Sequence, residues 1–95
     1  MTERKRDQEA RLLICELASI DGCIERWLEI LELIAQDKQS ASEYYDKLRE
    51  YGLEFPELEA RTLEADRIAF EKVQGIIEMY QDKEDRIEAR LSEMA

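Results

Sequence analysis

The 95-residue chain has no histidine, one proline, three glycines and two cysteines, and each scarcity removes a class of reading. Without histidine there is no imidazole base for a cysteine or serine nucleophile, and the Glu-x-x-His ligand pattern of di-iron bundles cannot be written. Gly-rich phosphate loops and G-x-S-x-G are missing as well, so the sequence points to no enzyme, no cofactor and no metal. Two thiols make at most half a structural zinc site. Cys15 and Cys23 share one predicted helix at a spacing of ~12 Å along its axis, too far for a mutual disulfide. They read as reduced thiols of an intracellular protein. Turn-forming residues are too few for a sheet protein, so helix is the default. No apolar run reaches the length of a membrane span, and the stretch Thr2-Glu3-Arg4-Lys5-Arg6 is no apolar signal core. The expectation is a cytoplasmic protein without membrane contact.

Positive charge is also short: 14 basic residues face 24 acidic ones, for a net charge of −10. That balance argues against direct binding to nucleic acid or anionic lipid and favours partners with basic surfaces.

What the chain does have is a heptad seam. Leu13, Leu17, Ile20, Ile24, Trp27, Leu31 and Ile34 recur at alternating steps of four and three, the spacing of a helix that packs along one stripe. Leu63, Phe70, Val73, Ile77, Tyr80, Ile87, Leu91 and Met94 answer with the same period, interrupted only by Asp66 and Glu84. The expected architecture is all-α: an antiparallel hairpin of two long helices in a single domain. Residues 1–11 form a polar N-terminal turn, with Thr2 or Asp7 as N-cap. Residues 12–51 form the first helix, 52–55 the turn and 56–94 the final helix.

Gly52 after Tyr51 suits a left-handed C′ residue, Leu53 can then touch Leu48, and Pro56 fits the first position of the next helix. Ser40 and Glu43 make an S-x-x-E capping box that would break the first helix between Gln36 and Ser42 and give a three-helix bundle. Against this, Lys38, Ala41, Tyr45 and Leu48 carry the seam through in phase, which favours one continuous helix. The register that matches like with like sets Trp27 against Ile77, Leu31 against Val73, Ile34 against Phe70, Leu17 against Ile87 and Leu13 against Leu91. It opposes Lys38 and Asp66 as an ion pair and leaves Glu84 against Ile20 near the open end.

Three surface features remain. A weaker apolar stripe runs through Leu12, Cys15, Ser19, Gly22 or Cys23, Ile30 and Leu33, and on the final helix through Leu58, Ala65, Ile68, Gly75 or Ile76, and Met79. Cys15, Gly22, Ile68 and Gly75 are the expected association face, which a second copy or a partner would cover to complete a four-helix bundle. Acids are aligned: Asp21, Glu25, Glu29 and Glu32 at helical neighbour spacing, and Glu57, Glu64, Glu71 and Glu78 every seven residues. Such rows are either a solvated face or a partner-binding face that imitates the charge spacing of a nucleic acid. Tyr44, Tyr51 and Phe55 crowd the turn among carboxylates, a contact patch for a basic and partly apolar partner or simply local packing.

The plan of a small acidic helical hairpin resembles export chaperones of flagellar and type III secretion systems, and equally some phage-encoded inhibitors of bacterial defence complexes. The resemblance is one of plan and not of motif. The expected function is non-enzymatic: a homodimer that binds a protein partner with a basic or apolar surface and blocks or escorts it. A nucleic-acid mimic and an export chaperone stand as alternatives.

Overall fold

The computed structural model describes residues 3–95 and contains two helices, α1 (Glu3–Glu50) and α2 (Pro56–Met94), with no strand among the described residues. α1 runs without interruption through Gln36–Ser42. The capping box is not used: Glu43 instead accepts a hydrogen bond from Gln39 one turn earlier, at 3.3 Å. With no glycine or proline in this stretch, nothing offsets the cost of breaking the backbone ladder. The N-terminal polar stretch is helical from Glu3, so Asp7 lies inside α1 and is not its N-cap. Thr2, the other candidate cap, lies outside the described residues.

The turn has the hydrogen bonds that its sequence asks for. Leu53 N–H donates to the Leu48 carbonyl at 3.0 Å and Gly52 N–H to the Arg49 carbonyl at 3.0 Å, the two bonds of a Schellman ending. Gly52 has φ = 77°, where a side chain is strained by about 1–2 kcal/mol. We therefore expect Gly52→Ala to lower the stability by roughly that amount, and Gly52→Asn by less. Chemical denaturation of the three proteins checks this, and equal midpoints for glycine and alanine would refute it.

Packing divides the chain into two units, one made of α1 up to Trp27 with α2 from Ile76, the other of Leu28–Gly75. In each the seam forms the interior. Ile20, Ile77 and Ile87 are buried in the first unit, Tyr45 and Val73 in the second, and the remaining seam residues are half-buried apart from exposed Lys38. Among the described residues no large side chain is completely enclosed.

Two faces and two orphaned carboxylates

Within the Leu28–Gly75 unit an open cavity of about 440 Å³ is lined by Ile34, Ala35, Lys38, Asp66, Arg67, Phe70, Glu71 and Gln74. It joins Ile34 with Phe70 and Lys38 with Asp66, the pairs of the expected register. The ion pair itself is not formed. Asp66 Oδ2 is buried with no hydrogen-bond partner, and Lys38 is exposed. A lysine ammonium is strongly hydrated, and leaving water for a partly apolar pocket is costly.

The same cavity fixes the sides of the helix pair. Ala35, Arg67, Glu71 and Gln74 each follow a seam residue directly and meet on one side, so residues that directly precede seam residues occupy the other. The two sides differ in chemistry. Following residues in this unit include Glu32, Asp46, Glu57, Glu64 and Glu71, all exposed, together with Leu28 and the bases Arg49 and Arg67. Preceding residues include Ile30, Leu33, Tyr44, Leu58, Thr62 and Ala65, with the bases Lys47 and Lys72. Leu33 and Leu58 are 60% and 53% exposed, an apolar surface that the second helix does not cover. Thr62 and Ala69 on this side are half-buried, and the Thr62 hydroxyl lies 3.1 Å from that of Tyr45.

The acidic row on α2 is partly neutralised. Arg67 holds Glu64 at 2.5 Å and Glu71 at 2.7 Å, and the hydrogen bond from Arg67 keeps the Glu64 carboxyl below its ordinary range. Arg49 likewise holds Asp46 at 2.5 Å and Glu59 at 2.6 Å, which raises its own pKa. Glu29, Glu32 and Glu57 are exposed and form no ion pair among the described residues. Tyr44, Tyr51 and Phe55 are all exposed at the turn, with Tyr44 edge-on to buried Tyr45 at 5.4 Å. Of the expected association residues in this unit, Ile68 and Gly75 are exposed, and a β-carbon at Gly75 would meet nothing within 4 Å apart from its chain neighbours and its own helix backbone, among the described residues.

In the other unit Asp21, Glu25, Glu78 and Cys15 are exposed and Gly22 is half-buried. Here Arg90 reaches across to Glu9 at 3.0 Å, and Arg6 donates to the Met94 carbonyl. Glu84, a polar residue on the seam, has one oxygen buried with no donor. Its pKa is raised to about 7, first by a hydrogen bond to the Asp21 carboxyl on α1 that requires a proton between them, then by burial and by the charges of Asp21, Glu88 and Asp85. The nearby bases are engaged elsewhere: Arg86 with Asp82, Lys83 over the Tyr80 ring, and Arg90 with Glu9 and Glu93.

A carboxyl that holds its proton more tightly folded than unfolded contributes stability that is fully present below the unfolded pKa and is lost as pH rises to the folded one. For Glu84 the window runs from the ordinary 4.5 to about 7. The difference in stability between the natural chain and Glu84→Gln is expected to grow in favour of glutamine across that window and level off above it. Thermal melts at a series of pH values would show this, and parallel curves would exclude the shared proton.

Among the described residues no group of three cysteine, aspartate or glutamate side chains is placed to hold a metal ion. No described helix is long and apolar enough to cross a membrane. The arrangement defines a two-helix protein with one acidic and one apolar side in its Leu28–Gly75 unit. No family model, curated protein or solved structure matches the chain.

Proposed function

We propose that the chain is a non-enzymatic adaptor or inhibitor that pairs with a second copy through its apolar side and offers its acidic side to a basic protein partner. The observation that carries the reading is the segregation of the Leu28–Gly75 unit into an apolar flank with Ile30, Leu33 and Leu58, and an acidic flank with Glu32, Glu57, Glu64 and Glu71. An isologous dimer needs a self-complementary surface. The acidic flank would place like charges together, whereas the apolar flank carries bases and apolar groups.

With the apolar sides joined, the acidic flanks point outward, with Tyr51 and Phe55 exposed at the turn, towards a protein rather than directly towards nucleic acid. The Arg67 clamp on Glu64 and Glu71 interrupts the charge row, which favours a protein-binding face over a nucleic-acid mimic. Binding of the full chain to immobilised basic proteins across a salt series tests the reading. Partners engaged by charge and aromatic contacts together should weaken with salt but persist near 0.5 M, where screening is within about 5 Å. Complete loss at modest salt would favour the mimic, and no retention at low salt would reject the acidic docking face.

A further inference from the structure

The cavity beside the seam of the Leu28–Gly75 unit has a floor and a charge that suit one side chain. Its apolar lining comes from Ile34, Ala35 and Phe70, and Asp66 Oδ2 is buried there with no donor. Arg67, the guanidinium already present, is bound by Glu64 and Glu71 and does not satisfy Asp66. Lys38 at the rim is exposed. The volume of about 440 Å³ lies within the range of pockets that take small groups.

We infer that this cavity is an anchor site for an arginine side chain of the partner protein, with the guanidinium donating to Asp66 and its methylenes lying on Ile34 and Phe70. The inference rests on the reading of the acidic side as the docking face and assigns its specificity. Arginine fits better than lysine for two reasons. A planar guanidinium can stack on the Phe70 ring, and it is less strongly hydrated than an ammonium. The chain's own Lys38 illustrates the contrast, since it stays in water while Asp66 remains without a donor. An incoming arginine displaces Lys38 further outward, so Lys38 acts as a competitor at the rim.

The test is a titration of the isotopically labelled full chain with a short neutral-backbone peptide holding one arginine, followed by amide resonances. The control peptide carries citrulline, which keeps the shape and removes the charge. Saturable shifts confined to Ala35, Asp66, Phe70 and Gln74 are expected for arginine and not for citrulline. Asp66→Asn should weaken binding about tenfold or more, as expected for loss of a charge-assisted hydrogen bond, and Lys38→Gln should strengthen it. Circular dichroism establishes that both variants remain helical. Equal shifts with citrulline, or shifts spread along the acidic residues that survive in Asp66→Asn, would overturn the anchor site. The broader docking reading would then stand or fall on the salt series alone.

Discussion

Replacing Ile77 by alanine is expected to lower the melting temperature by about 10–25 °C and to leave part of the population unfolded at room temperature. Ile77 is 5% exposed, the most buried side chain of the five that form the interior. Its truncation removes transfer energy and leaves a gap, together costing about 2–4 kcal/mol. A chain of this length has about 0.05–0.15 kcal/mol per residue to lose, and a two-layer interior with no large side chain fully enclosed among the described residues falls near the lower end. Leu12→Ala is the matched control: Leu12 is 71% exposed, and surface truncations usually change stability by less than about 0.5 kcal/mol. Circular dichroism melts of the two variants decide the matter. Equal melting temperatures would show that the seam is not where the stability lies.

The seam was legible because heptad spacing reports burial directly. The seam residues between Leu13 and Ile34 on α1 and between Leu63 and Met94 on α2 are all buried or half-buried. Gly52, Leu53 and Pro56 were equally readable, since their turn chemistry is local and each residue type has few other uses. The continuity of α1 through Ser40 was harder to read. A capping box and an unbroken seam give opposite signals there, and only tertiary packing along the helix decides between them.

Lys38 and Asp66 show a different limit. Their register was readable from like-with-like matching, but whether a flexible ammonium enters a pocket or stays hydrated depends on a desolvation balance that spacing does not encode. The same holds for Asp21 and Glu84. Glu84 was visible as a polar residue opposite Ile20, whereas its proton-sharing partner is the neighbouring Asp21, which emerges only when the flanks of both helices are placed. The segregation of acids after the seam and apolar residues before it was present in the letters all along. Reading it requires knowing that corresponding flanks of antiparallel helices share a side, which the lining of the Asp66 cavity establishes.

That segregation makes the second large effect specific. Introducing glutamate at both Leu33 and Leu58 should abolish self-association while leaving the helices of the single chain intact. Both residues are exposed in the monomer, at 60% and 53%, so charge there costs the isolated chain little. In a dimer joined through this side the two substitutions become four carboxylates in one interface, each deprived of water. Even partial desolvation of unpaired charges costs several kcal/mol, and a loss of about 3 kcal/mol already weakens association more than a hundredfold. On the opposite flank Glu71→Gln is the comparison, because it changes charge by one unit on a surface that remains in water. Sedimentation equilibrium at micromolar concentration should give dimer mass for the natural chain and Glu71→Gln, and monomer mass for the double variant, with the same helical content in all three. If the natural chain sediments as a monomer throughout, or the double variant remains dimeric, the apolar flank is not the surface that a second copy covers.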